Sequence, residues 1–250
     1  MARLNLRATA TVVVSCEHAS NRVPSRYRNL GLDEESRGSH IAWDIGARQV
    51  ARSFARVLGC DLHEGCWSRL LVDLNRSAHH RNLIAVSSFG IDVPGNRELD
   101  AQEREHRLRT YWQPYRSAVA ASIRKALERS SSCVHLSVHS FTPAVGGRAR
   151  NADVGLLYDP QRKKERELAR GWARAIAAAG VRVRLNYPYR GTADGLNKAL
   201  RSQFPASRYV GLELELNQQA LMDRTARTHI ERVTRESFLA MVRSDIKPAR

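Results

Sequence analysis

Apolar positions along this chain alternate between two rhythms. Thr11-Val12-Val13-Val14, Cys133 to His139, Val154 to Tyr158, Val181 to Leu185 and Tyr209 to Leu216 are rich in β-branched or leucine residues. Each has the length of a buried strand. Trp67 to Leu74, with Leu70-Leu71-Val72 at its centre, reads as one more. The segments between them carry helical spacing. Gly46 to Leu58 puts Ala47, Val50, Ala51, Phe54, Val57 and Leu58 on one face. Arg97 to Arg129 reads as helix with a break or kink at Pro114, and Gln161 to Ala179 as a helix stopped by Gly180. Gly195 to Ser202 and Asp223 to Val242 complete the series. Repeated β/α alternation predicts an α/β fold, a largely parallel sheet with helices on both faces. No linker rich in Gly, Ser or Pro divides the sequence, so residues 1–250 are expected to form one domain.

Composition narrows the class. An apolar fraction of 42% in 250 residues supports a substantial core. Met1 to Ala10 lacks the apolar stretch of a signal peptide, and no run approaches the ~20 apolar residues of a membrane span. A cytoplasmic protein without membrane contact is expected. Cys16, Cys60, Cys66 and Cys133 show neither C-x-x-C nor zinc-finger spacing and read as small core residues. The net charge of +16 raises nucleic acid as a partner. Against it, the arginines are interleaved with glutamate, as in Gln102-Glu103-Arg104-Glu105, and no basic cluster carries stacking aromatics. A solvated basic surface that attracts a small anionic substrate is the favoured reading. The sequence allows a homo-oligomer.

Candidate chemistry gathers at strand ends. His18 and His139 each stand where an apolar run gives way to small polar residues, at the carboxyl edge of the predicted sheet, where open α/β folds form their crevices. A hydrolytic metal site needs about three N or O ligands and one open position. Glu17, Asn21 and Asp44 all qualify as the third ligand, and Asp44 equally as a helix N-cap. Glu213, Glu215 and Asn217 share one face of the last strand and Leu212, Leu214 and Leu216 the other. An edge strand would leave that polar side wet; a central strand would carry two carboxylates at a cost that a catalytic role explains. Asn75 and Arg76 follow Leu70-Leu71-Val72, where an arginine fork suits capture of a carboxylate unless it pairs with Asp73; Arg69 has the same two readings. Asn186 to Gly191 is a turn-rich loop placed to shape a pocket.

These stretches make the chain similar to the N-formylglutamate amidohydrolase (deformylase) family over nearly its whole length. The matching segments are Glu17-His18-Ala19-Ser20-Asn21 with Val23-Pro24, His40-Ile41-Ala42-Trp43-Asp44, Ser68 to Arg76, His139-Ser140-Phe141-Thr142-Pro143 and Leu214-Glu215-Leu216-Asn217-Gln218. A more distant likeness is to the zinc carboxypeptidases. There His18-Ala19-Ser20-Asn21 stands against H-A-x-E, Asp73-Leu74-Asn75-Arg76 against D-P-N-R, Ser137 to Phe141 against S-I-H-S-Y, and Glu215-Leu216-Asn217 against E-L-R. The resemblance implies a phosphorylase/hydrolase-like three-layer α/β/α fold with a mixed, largely parallel sheet. It implies zinc or another divalent metal on His18 and His139, and Glu215 as general base. Asn75, Arg76 and Arg69 would bind the substrate. Asn21 stands where the carboxypeptidases carry a glutamate ligand, which favours Asp44, with Glu17 as the alternative. The implied reaction is hydrolysis of an N-formyl or other N-acyl acidic amino acid, as in histidine degradation.

Overall fold

The computed structural model describes residues 11–243. Six strands form one sheet: β1 (Thr11–Cys16), β2 (Asp61–Glu64), β3 (Cys133–Phe141), β4 (Val154–Leu157), β5 (Val183–Leu185) and β6 (Tyr209–Asn217). Their spatial order is β2-β1-β3-β6-β4-β5. The first four in that order run parallel; β4 is antiparallel to β6, and β5 parallel to β4. The largely parallel α/β sheet expected from the alternation is therefore present, and one antiparallel pairing, β4 with β6, makes it mixed, as the resemblance implies. β6 is central, flanked by β3 and β4, so its polar side is not the wet side of an edge strand.

Helices cover both faces. α1 (Ala47–Leu58), α3 (Lys163–Ala178) and α5 (Arg224–Arg243) pack on one side. Val50, Phe54, Trp172, Ile176 and Phe238 there meet Val12, Val14, Val134, Leu136, Leu212 and Leu214. Trp172 is wholly buried, and its indole donates to the Thr234 carbonyl at 3.0 Å, so the polar tip of a large apolar side chain is satisfied. Val57, placed by helical spacing on the buried face of α1, is instead exposed. On the other side lie α4 (Leu196–Gln203) and the long helix α2, which comprises Ala101–Arg107, a π turn at Leu108–Trp112 and Gln113–Arg129. Asp100 caps α2 through the Glu103 amide, so the helix begins at Ala101 rather than Arg97. The π turn opens the ladder just before Pro114, whose nitrogen cannot donate. No helix among the described residues is long and apolar enough to cross a membrane.

Trp67 to Leu74 is not a strand. It is a buried, irregular segment, and the edge strand of this region is the polar stretch Asp61–Glu64. Leu70, Leu71 and Val72 enter small clusters outside the sheet. Their backbone is satisfied by side chains in place of a ladder. Asn96 Nδ2 donates to the Leu70 and Ala85 carbonyls, each at 2.8 Å, and Arg107 Nη1 to the Leu71 carbonyl at 3.2 Å. Each buried carbonyl left unpaired would cost roughly 1–3 kcal/mol, so the buried Arg107 and Asn96 hold this loop in place.

The two faces of the central strands differ in chemistry. Val12 and Val14, Val134 to Val138 in alternate positions, and Leu212 to Leu216 likewise fill the apolar layer. The intervening residues Ser15, His135, Ser137, His139, Glu213 and Glu215 are polar and buried on the opposite face, as a period of two requires. At its lower end His135 Nδ1 donates to Asn197 Oδ1 at 2.7 Å, and Ser15 Oγ lies 2.8 Å from Nε2. Burial holds the His135 imidazole down to about 4. The unfolded chain then takes up a proton near the ordinary pH 6.5, while the folded chain waits until about 4. This group's contribution is thus complete above 6.5 and is lost as pH falls to 4, by roughly 3 kcal/mol in all. His135→Gln should flatten the pH dependence of urea-unfolding stability between 7 and 4.5 by about 2.5 kcal/mol. Unchanged slopes would show that His135 titrates alike in the folded and unfolded chain.

Candidate metal and active site

The parallel strands β1 and β3 end side by side and carry the two histidines to one point. His18 follows β1 after a two-residue step and His139 lies near the end of β3; their rings meet edge to face, centroids 5.1 Å apart. Asp44 arrives from the loop before α1. The helix is capped by Gly46, not by Asp44, whose side chain turns to the histidines. His139 Nδ1 is 2.8 Å and His18 Nδ1 3.3 Å from Asp44 Oδ2. Donor atoms of His18, Asp44 and His139 all lie within 4.8 Å of one another, and all three residues are buried.

A second carboxylate stands behind each ring. Asp73 Oδ1 is 2.7 Å from His18 Nε2, and Glu17 Oε2 is 2.8 Å from His139 Nε2. A carboxylate cannot donate, and a neutral imidazole carries one N–H for two such neighbours. If each Nε2–H serves the carboxylate behind it, both Nδ1 lone pairs converge on Asp44. That close approach needs extra protons or a cation between the donors. Two imidazole nitrogens and one carboxylate oxygen, with both rings fixed from behind, fit a divalent ion such as zinc. Glu17 thus faces the far nitrogen of His139 instead of the converging donors, and Asn21 donates to the Arg37 carbonyl.

The ionisation pattern agrees with this crowding. Burial alone would raise the carboxyls of Glu17, Asp44 and Asp73. The facing His139, both histidines, and His18 with Arg69, respectively, draw each of them far below the usual range. Both histidines are conversely pushed up despite burial, by Asp73 and Asp44 for His18 and by Asp44 and Glu17 for His139. Ser137 Oγ also donates to Glu17, and the Tyr115 hydroxyl lies 3.1 Å from Glu17 Oε1.

A cavity of about 290 Å³ opens here, and its wall includes His18, Asp44, His139, Arg69, Asn75, Arg76 and Glu215. The residues singled out in the sequence are therefore neighbours in space, with Glu17 just behind them. Arg69 bridges Asp73 Oδ2 at 2.9 Å and Asp44 Oδ1 at 3.4 Å. Asp73 pairs with Arg69 and His18, not with Arg76 as the salt-bridge alternative had it. Arg76 makes one long contact, Nη1 to the Asp194 carbonyl at 3.4 Å. Asn75 Oδ1 accepts from the Leu196 amide at 2.7 Å and so holds the first turn of α4. Glu215, opposite His139 in register, is 4% exposed, and its Oε2 has no hydrogen-bond partner among the described residues. Burial pushes its carboxyl to about 8 against the pull of His139. Burial raises Glu213 as well, and Asn197 Nδ2 donates to its Oε1 at 3.4 Å. Tyr189, Arg190 and Asp194 also line the cavity. The turn-rich 186–191 loop thus helps to shape the pocket, as its sequence suggests, and the alternation Val134-His135-Leu136-Ser137-Val138-His139 is the sequence signal of a polar sheet face.

Known proteins share this architecture. The family model for N-formylglutamate amidohydrolase matches residues 10–222. The crystal structure of a gene product of Agrobacterium tumefaciens superposes with a TM-score of 0.83 at 31% identity, over 96% of this chain and 94% of that one. N-formylglutamate amidohydrolase from Ralstonia eutropha superposes with a TM-score of 0.66 at 20% identity, over 96% of both chains, a likeness of fold. Comparison with curated proteins gives no match. The matched pattern runs from the start of β1, through both histidines and Asp44, to the short helix Gln218–Met222 after β6, and the chain belongs to the N-formylglutamate amidohydrolase family.

Proposed function

We propose that this chain is a divalent-metal-dependent amidohydrolase that removes the acyl group of an N-formyl acidic amino acid, N-formyl-L-glutamate foremost, giving glutamate and formate. The observation that carries the reading is Glu215: a buried carboxyl with an unpaired oxygen, in the cavity wall that also holds His18, Asp44 and His139. Those three would hold the metal, which when bound supplies Lewis-acid chemistry that acidifies water and polarises a carbonyl. Glu215 takes a proton from the attacking water as its oxygen bonds to the formyl carbon. The same carboxyl then passes that proton to the amide nitrogen as the C–N bond breaks. A carboxyl lifted toward neutrality by burial suits a group that must both accept and return a proton. Arg76 pairs with the α-carboxylate and turns the amide toward Glu215, while Arg69 keeps Asp44 and Asp73 oriented.

Metal-loaded protein incubated with a panel of N-acyl amino acids, with released formate and amine measured, tests this reading. Turnover of N-formylglutamate that disappears on chelation and returns with added zinc is the expected result; no turnover of any N-acyl amino acid overturns it. The role of Arg76 has its own test. Arg76→Lys keeps the charge but not the fork, and should lower kcat/KM roughly 10–100-fold. The loss should shrink for an analogue in which the α-carboxylate is an amide. Equal losses on the acid and the amide would make Arg76 structural.

A further inference from the structure

Three guanidinium groups reach the cavity, and they are committed to very different degrees. Arg69 is taken up by Asp44 and Asp73. Arg76 has a single 3.4 Å contact with a backbone carbonyl. The Arg190 side chain makes no hydrogen bond or ion pair among the described residues, yet the backbone on either side of it is tied down, and its own carbonyl accepts from the Ala193 amide at 2.9 Å. Asn186, at a φ of 49°, accepts through Oδ1 from the Tyr158 and Gly191 amides, each at 3.0 Å, and so clasps the loop shut. Gly191 has no room for a Cβ, which would stand 2.2 Å from the Tyr158 nitrogen. Its carbonyl accepts from Arg201, itself buried in an ion pair with Glu165 at 3.0 Å. At the other end of the loop, the Tyr187 carbonyl lies where a Cβ on Gly155 would be, and Gly155 is the register partner of Glu215.

The loop is thereby fixed relative to Glu215 by a side-chain clasp, a buried ion pair and two side-chain-free positions. Taking Arg201 and Glu165 out of water costs several kcal/mol before their attraction is counted, so this anchoring is not incidental packing. What it presents to the cavity is an arginine without a hydrogen-bond or ion-pair partner among the described residues. On this wall Glu213 and Glu215 come from β6, and Arg76 and Arg190 from loops; of the loop carboxylates, Asp44 is engaged by Arg69 and the histidines, and Asp194 Oδ2 accepts from the Ser77 amide at 3.0 Å. A ligand with two carboxylates is drawn to the two uncommitted arginines, which leaves its uncharged amide for β6.

Resting on the functional reading above, we propose that Arg190 reads the substrate's side chain: it pairs with a second carboxylate while Arg76 holds the first, and so selects acidic over neutral N-acyl amino acids. A charge-assisted pair on a preformed loop discriminates well, because little ordering accompanies binding.

The test compares N-formylglutamate with N-formylglutamine, which has nearly the same shape and no side-chain charge. Native enzyme should favour the glutamate substrate, chiefly through KM. In Arg190→Gln the loss of kcat/KM on N-formylglutamate should exceed the loss on N-formylglutamine by roughly 10–100-fold. Arg190→Glu, with metal content as a check on folding, should shift preference toward N-formyllysine. Equal losses on both substrates in Arg190→Gln, or a native enzyme indifferent to the side-chain charge, would overturn the role of Arg190 and leave the deformylase reading standing. A native enzyme that cleaves no N-formyl amino acid would overturn both.

Discussion

His139→Ala is expected to retain no divalent ion and to show no measurable amide hydrolysis. The ring supplies one of three converging donors, and it separates two buried carboxylates, Asp44 at Nδ1 and Glu17 at Nε2. Its removal takes the facing ring from each, leaving Asp44 to His18 and Arg69 and Glu17 to Ser137 and Tyr115; a fully broken buried pair costs about 3–5 kcal/mol, so the variant should be less stable by up to that amount. Elemental analysis should fall from about one ion per chain to none. His139→Gln, which keeps more of the volume, should show the same metal loss in a better-folded protein. Glu17→Gln separates ligand from support: a carboxylate behind a ligating ring should cost roughly 10–100-fold in metal affinity and no more. If Glu17→Gln empties the site as completely as His139→Ala, Glu17 is itself a ligand. An active His139→Ala enzyme without metal would overturn the metal reading altogether.

Glu215→Gln should lower kcat by roughly 10²–10⁴-fold, the range for loss of a general base, with metal content unchanged. The amide keeps the shape of the carboxyl but cannot take a proton. In the native enzyme activity should fall on the acid side as Glu215 becomes protonated, since a protonated carboxyl is no longer a base. Burial, set against the pull of His139, places that event near 8, and the positive charge of a bound ion moves it lower. The limb belongs to Glu215 and its titrating neighbours together, and it should be missing from the residual activity of Glu215→Gln. Glu213→Gln should cost far less, because Asn197 already engages that carboxylate. If Glu213→Gln is the inactive variant and Glu215→Gln the active one, the two roles are exchanged.

The parts of this fold legible in the sequence are those where local chemistry and tertiary packing agree. β1, β3 and β6 are buried on both sides and announce themselves by their apolar residues. Trp67 to Leu74 misleads for the same reason. Leu70-Leu71-Val72 is as apolar as a core strand, but its carbonyls are met by Asn96 and Arg107, far along the chain and unremarkable in sequence. β2 carries no such signal, because Asp61-Leu62-His63-Glu64 sits at a sheet edge and needs no apolar run. At the site, His18, His139, Asp44 and Glu215 stand out as polar groups at strand ends or on a buried strand. The support given by Asp73, Tyr115 and Ser137, and the clasp that carries Arg190, depend on which loops meet in space.

The division of the central strands into an apolar and a polar face also bears on how the sheet assembles. β6 must find β3, a partner far away in sequence, in parallel orientation, which makes early mispairing a real hazard. A slip of one residue would turn Glu213 and Glu215 into the layer holding Phe54, Trp172 and Phe238 and point Leu212, Leu214 and Leu216 at the histidines. Unpaired carboxylates in an apolar layer penalise that slip heavily, whereas a strand with leucine on both sides would tolerate it. The carboxylates that line the cavity wall thereby also disfavour a misregistered strand while the chain is folding.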